Sequence, residues 1–392
     1  MSLMSAASNM SNATSAAAAD GVTAALYCGE RWQALHDGYR PWHGCTALLV
    51  CLFGSVANTL NIAVLTRREM YSPTNAILTG LAIADLLVML EYIPFTLHMY
   101  ILTRPAEVRF TYGWAAFVLF HSNFTQVGHS ISIWLTVTLA VWRYIAVAHP
   151  QHNREWCSMQ RTICVILTGY LVCPLICIPV YFSFDIRPEV SLVDESGEFS
   201  KSNDSSIPVH NATLFYVSLS ELSQANNNLL YDINFWIYSV VIKIIPCIAL
   251  TILSLRLVCA LMDAKKRRQK LTSGSSRKSV KNLDKERQTD RTTRMLLAVL
   301  LLFLITEFPQ GILGLLSVVL NKKFFNECYI SLGEVMDILA LFNSAINFIL
   351  YCAMSRQFRT TFSILFRPSW MPVPQVEANG HNGHTTTQVT QV

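Results

Sequence analysis

The residues of this chain that could do chemistry are ionisable groups set inside long apolar runs. Asp85, Glu91, Lys243, Glu307, Glu334 and Asp337 interrupt stretches that are otherwise aliphatic or aromatic, and Arg143 closes the apolar run that begins near His129. Inside hydrocarbon an ionised side chain costs roughly 2.5–3.5 kcal/mol on insertion scales, so each must pair, snorkel or face a polar cavity. Lys243 stands three residues before Pro246 and Glu307 two before Pro309, in neighbouring antiparallel runs at comparable depth. A Lys243–Glu307 ion pair is the expectation; a snorkelling lysine and a protonated glutamate are the alternatives. Glu334 and Asp337 share one helical face. Such groups recognise charge and switch between arrangements. No paired metal motif and no nucleophile elbow occurs, so the chain is not expected to be an enzyme.

Seven elements must position these groups. With 52% hydrophobic residues, 14% charged and a mean hydropathy of +0.36, 392 residues are too apolar for a soluble protein. Apolar runs long enough to cross a bilayer fall at 45–66, 75–101, 114–148, 162–184, 233–262, 294–320 and 330–353. The fold class expected is an all-α seven-helix membrane bundle. No second half repeats the first, which argues against an inverted-repeat transporter.

Charge sets the orientation. The segment 263–294 holds twelve Lys and Arg, and Arg67, Arg68, Arg356, Arg359 and Arg367 lie on the same side, which is therefore cytoplasmic. The loop between spans four and five is acidic, with Asp185, Glu189, Asp194, Glu195 and Glu198 among its acids, so the outer mouth attracts cations. The expected domains are an extracellular glycosylated tail over 1–42, the membrane bundle over 43–353, and an amphipathic helix with a cytoplasmic tail over 354–392. Sequons at Asn9, Asn12, Asn203 and Asn211 all fall outside, whereas Asn123 lies within span three. No cleavable signal is expected, so span one itself targets the plasma membrane. Of eleven cysteines, Cys28 and Cys328 sit clearly in outer segments and are expected to pair; the alternative is that both are free. Phe358 and Phe362, with Arg356 before them and Arg359 between, predict a short helix on the inner leaflet. Thr385 is a candidate phosphorylation site, and the terminus Thr390-Gln391-Val392 has the form that a PDZ domain takes as an added strand.

Trp142-Arg143-Tyr144 followed by Pro150, Gly54 with Asn58, Leu81 with Asp85, and Asn343-Ser344-Ala345-Ile346-Asn347 running to Tyr351 together resemble the rhodopsin-like (class A) G protein-coupled receptors. The resemblance covers all seven spans, with departures. Trp142 stands where the family has an acid, Phe348 where it has a proline, and Glu307 where it has the pivot tryptophan of helix six. Span four carries Gly169-Tyr170 where the family has a tryptophan. The usual bridge from helix three to the second outer loop cannot form, because Ala115, Ala116 and Val118 occupy that helix end. The resemblance implies a switch involving Trp142, Arg143, Tyr144, Pro150, Lys243, Glu307, Pro309, Asn347 and Tyr351, in which helix six swings out and Arg143 meets a G protein. It also implies a sodium site at Asp85, Ser132, Asn343, Ser344 and Asn347; the alternative is a hydrogen-bond network without an ion. No other cofactor is expected. Losing the proline at 348 removes a built-in kink.

Longer motifs narrow the likeness. Trp142 to Pro150, Arg67-Arg68-Glu69-Met70 with Ser72 to Leu78, and Ser355 to Arg359 look like the arthropod myosuppressin receptors, relatives of the sex-peptide and FMRFamide receptors. That implies a peptide ending in Arg-Phe-amide, coupling mainly through Gi/o, and arrestin as a further partner. An amidated peptide carries an arginine and no terminal carboxylate, so its pocket should offer acids and aromatics. The candidates are Glu91, Tyr92, His98, His121, Gln126, His129, Phe308, Glu334 and Asp337, with Glu91 or Asp337 taking the arginine. An opsin is excluded by the absence of lysine from 330–353. The competing reading is a receptor for another neuropeptide, such as myoinhibitory or sex peptide.

Overall fold

The computed structural model describes residues 28–102, 104–199, 208–225, 229–272, 280–320 and 324–366. Asn9, Asn12, Asn203, Thr385 and the terminal Thr390, Gln391 and Val392 lie outside the described residues. Seven helices are long and apolar enough to cross a membrane: α1 Glu30–Leu65, α2 Pro73–Ile101, α3 Tyr112–Ala148, α4 Met159–Ser183, α5 Leu229–Asp263, Leu301–Val319 within a longer α6, and α7 Glu327–Ala353. Helix α6 spans Val280–Val319, and helical structure continues from α5 to Thr272, so both reach beyond their apolar runs as their basic flanks suggest. A short α8, Arg356–Leu365, follows. We call the end that carries Cys28 and Cys328 the outer end.

Local chemistry starts several of these helices. Ser72 caps α2 by accepting from Asn75 N, with Pro73 in the first turn. Ser158 caps α4 and Ser355 caps α8 in the same way. Proline sets the irregularities. Pro246 supplies no amide and crowds the preceding turn, and the chain before it widens into a π-helix over Ile237–Ile244. Helix α7 is interrupted at Ile346 (φ −77, ψ −14) even without a proline. Phe348 instead packs its ring against Phe358 and Phe362 of α8, at 5.9 and 5.7 Å. The expected leaflet-facing pair therefore turns inward. Phe358 is buried in the bundle, while Ile364 and Phe366 are exposed.

Three features depart from the reading of the sequence. Helix α1 begins at Glu30, inside the segment assigned to a tail without periodicity, and continues through Pro41. Its 36 residues span about 54 Å, well beyond a hydrocarbon core of about 30 Å. The projecting turns are held by the Cys28–Cys328 disulfide (Cα–Cα 5.8 Å) and by Trp32 Nε1, which donates to the Cys328 carbonyl.

Second, the outer loop between α4 and α5 is an antiparallel hairpin, an addition to the all-α expectation. Strand β1 Phe184–Asp194 pairs with β2 Val209–Leu219 in register from Phe184↔Leu219 to Asp194↔Val209. Val193, Ala212 and Leu214 bury against Ala106, rimmed by Phe110, Phe199 and Tyr216. Phe215 N donates to the Phe110 carbonyl at 2.8 Å, Glu107 N to the Gly197 carbonyl, and His210 Nε2 to Glu107 Oε1 at 2.7 Å. Packing and backbone hydrogen bonds thus tie the hairpin to the α2–α3 connection. In the turn beyond β1, the Ser196 hydroxyl and the Glu198 amide hold the Asp194 carboxyl below its ordinary pKa. Asn211 is exposed on β2.

Third, Gly169 of α4 makes room for a tryptophan from another helix. A Cβ there would overlap the Trp134 ring of α3, whose Nε1 donates to the Val165 carbonyl at 3.1 Å. The neighbouring Tyr170 hydroxyl donates to the Gly80 carbonyl, tying α4 to α2.

Candidate functional site

Two cavities lie along the bundle axis. The outer one is lined from α3 by Ser122, Thr125, Gln126 and His129, from α5 by Asn234, Phe235 and Tyr238, from α6 by Gln310, from α7 by Tyr329 and Asp337, and from β1 by Phe184. The α3 residues repeat at i, i+3, i+4 and i+7, which is one face of a helix. That polar stripe in an apolar run is the signal by which Ser122 and Thr125 could have been found. Asn234 and Gln310 carried the weaker signal of lone polar residues in apolar helices.

Of the nine expected ligand residues, Gln126, His129 and Asp337 line this cavity. The other six have different surroundings. His121 Nδ1 donates to the Glu91 carboxylate, 2.8 Å from both oxygens, with 3% and 8% of the two side chains exposed. The His121 ring stacks on Phe95 at 3.9 Å, and Tyr92 meets its edge. The Tyr92 hydroxyl faces His43 Nε2 at 3.4 Å. His98 stacks on Trp114 at 3.5 Å and donates to the Arg109 carbonyl, joining the outer end of α2 to the next loop. Glu334 is buried and accepts from the Tyr100 hydroxyl at 3.3 Å. Phe308 is 39% exposed on the outside of α6.

The structure thus places Glu91, Tyr92, His98, His121, Glu334 and Phe308 outside this lining. The first five knit α1, α2, α3 and α7 together behind the cavity wall, and Phe308 turns toward lipid. Asp337 differs from the other outer acids, because it is half-buried in the cavity wall and has no hydrogen-bond or ion-pair partner among the described residues.

The inner cavity gathers Asp85, Ser132, Asn343, Ser344 and Asn347 with His129, Thr136 and Glu307. Ser132 Oγ donates to Asp85 Oδ1 at 2.8 Å and Asn347 Nδ2 to Asp85 Oδ2 at 3.4 Å. Asn58 braces the site, donating to the carbonyls of Gly54 and Ser344. One carboxylate among hydroxyl and amide oxygens suits a small hard cation. Among the described residues no group of three His, Cys, Asp or Glu is placed to hold a transition metal.

Lys243 and Glu307 form a buried ion pair, 1% and 2% exposed. At the inner end of α3, Trp142 Nε1 donates to Thr162 Oγ1 of α4 at 2.9 Å, so the residue replacing the usual acid turns away from Arg143. Among the described residues no carboxylate pairs with Arg143. Tyr351 of α7 lies within its electrostatic range and is buried. Tyr144 meets the edge of His149 at 5.9 Å where α3 ends, Pro150 is exposed beyond it, and Pro309 lies inside α6.

Comparison with known proteins agrees with this architecture. The profile described as serpentine type 7TM GPCR chemoreceptor Srw matches residues 46–368. The chain is 30% identical over 370 residues to the G-protein coupled receptor dmsr-1 of Caenorhabditis elegans, covering 86% of this chain and 70% of that one. It is 29% identical to the sex peptide receptor of Drosophila melanogaster (83% and 72% covered). It is 23% identical to the FMRFamide receptor of the same fly (81% and 52% covered).

Proposed function

Because this chain belongs to the seven-transmembrane G protein-coupled receptor family, we propose that its outer cavity binds a neuropeptide ending in Arg-Phe-amide, of the myosuppressin kind. It is a multi-pass membrane receptor and not an enzyme. In this reading it sits in the plasma membrane with its amino terminus outside and signals mainly through Gi/o. The observation that carries the reading is Asp337, an uncommitted carboxylate in a cavity whose other walls are aromatic rings and neutral polar groups. A guanidinium pairs with such a carboxylate through charge-assisted hydrogen bonds, and Phe184, Phe235, Tyr238 and Tyr329 offer faces for an aromatic side chain. Glu91, already engaged by His121, is the poorer partner. The likeness to receptors named for FMRFamide and sex peptide supports a peptide ligand. Binding shifts the bundle toward a state that exposes Arg143 to the G protein, and a sodium ion held by Asp85 favours the resting arrangement.

The test is inhibition of cAMP in cells expressing the chain, comparing a peptide ending in Phe-Leu-Arg-Phe-amide, its free acid, and a Trp-rich myoinhibitory-type peptide. Response to the amide supports the proposal. Silence to the amide with response to the Trp-rich peptide replaces the ligand class and retains the receptor.

A further inference from the structure

The partition between the two cavities contains a buried ion pair that the ligand reading does not use. His129 is the residue that the two linings have in common. Glu307 lines the inner cavity, and Tyr238 lines the outer one. Lys243 joins them, its Nζ paired with Glu307 and 5.5 Å from the centre of the Tyr238 ring. His129 and Glu307 line the inner cavity together. The π-helical turn carrying Tyr238 and Lys243 packs directly on α6, where a Cβ at Gly311 would stand 2.9 Å from the Lys243 Cβ. The Lys243 backbone is therefore held close against α6.

We propose that this partition is the specificity device for the ligand's terminus: His129 hydrogen-bonds a neutral carboxamide, while Glu307 neutralises Lys243 so that a carboxylate finds no counter-charge there. The inference rests on the amidated-peptide reading above and deepens it. A neutral imidazole offers one donor and one acceptor, as a carboxamide does. A carboxylate only accepts, and without a free cation it loses its hydration uncompensated. Lys243 is the nearby cation that could serve it, and Glu307 already holds that charge. Rejection of the free acid is thus built from a repulsive arrangement as much as from the attractive contact.

The test reads the potency ratio of amide to free acid in cAMP assays on the full chain, with surface display of each variant measured in parallel. Glu307→Gln leaves Lys243 unpaired, and the free acid should gain potency so that the ratio falls about tenfold or more. In the Lys243→Gln, Glu307→Gln double variant both charges are gone, and the ratio should return toward that of the wild type. An unchanged ratio in Glu307→Gln, or an equal fall in the double variant, overturns the proposal. Should Glu307→Gln fail to reach the surface, His129→Phe decides: the amide should lose potency toward the level of the acid, with the acid unaffected, and a retained ratio overturns the proposal. A wild type silent to both peptides overturns the functional reading and this inference with it. A wild type that prefers the amide, with a ratio indifferent to these variants, overturns the inference alone.

Discussion

Replacing Asp337 by asparagine separates charge recognition from shape, because the two side chains are nearly the same size. The carboxylate is half-buried in the outer cavity and has no partner among the described residues, so the resting protein loses little when the charge goes. A ligand guanidinium at contact distance would gain about 4 kcal/mol of gross Coulomb energy at an effective dielectric of about 20. Desolvation of both groups, and the hydrogen bond that asparagine still offers, reduce the net loss to about 1.5–3 kcal/mol. At about 1.4 kcal/mol per tenfold, the peptide's Kd should weaken about 10- to 150-fold. The assay is a four-corner cycle of competition binding, pairing wild type and Asp337→Asn with the peptide and with an analogue carrying citrulline in place of arginine. The loss should appear with arginine and nearly vanish with citrulline. Equal losses in the two columns would mean that Asp337 does not meet the arginine. The same cycle at Glu91→Gln should show no coupling and a less stable protein, since His121 exchanges a charged acceptor for a neutral amide oxygen.

Other outcomes follow from the packing. Gly169→Ala pushes a Cβ into the Trp134 ring and disturbs the bond to the Val165 carbonyl; overpacking of this kind should lower stability by about 1–3 kcal/mol, read as a lower Tm of purified receptor. Cys28→Ser, Cys328→Ser and the double variant should each lose about 2–4 kcal/mol, and a double loss larger than either single one would show that the two cysteines act separately. Raising sodium from millimolar to physiological levels should weaken agonist binding in the wild type and leave Asp85→Asn unaffected; a flat wild-type titration removes the ion from the inner cavity, leaving the hydrogen bonds of Ser132 and Asn347 as its whole content.

How much was legible in the sequence depended on the range of the interaction. Seven spans could be read because apolar length is a local property, although the early start of α1 at Glu30 could not, and the basic segment at 263–294 lies where the chain leaves the membrane. The Lys243–Glu307 contact was legible because two opposite charges, each prohibitive alone, stand beside prolines on adjacent antiparallel helices. The gathering around Asp85 was implied by the resemblance of the surrounding motifs. The hairpin was not legible, since its register is set by pairing across the chain and by a cluster that borrows Ala106 and Phe110 from another loop.

The choice among the outer acids shows the division most clearly. Glu91, Glu334 and Asp337 all stand near the outer ends of spans, with Glu91 or Asp337 expected to take the arginine, and helical periodicity placed Glu334 and Asp337 on one face. It could not say how far each helix is turned about its own axis relative to its neighbours. Packing against His121 and Tyr100 decides that for Glu91 and Glu334, and leaves Asp337 toward the cavity. The sequence by itself determined that charges would be buried in this bundle and at what depth, because hydropathy and spacing are properties of the local chain. Only the tertiary structure decided which charges satisfy one another and which remain for a ligand, because side chains from different helices meet only when the helices pack.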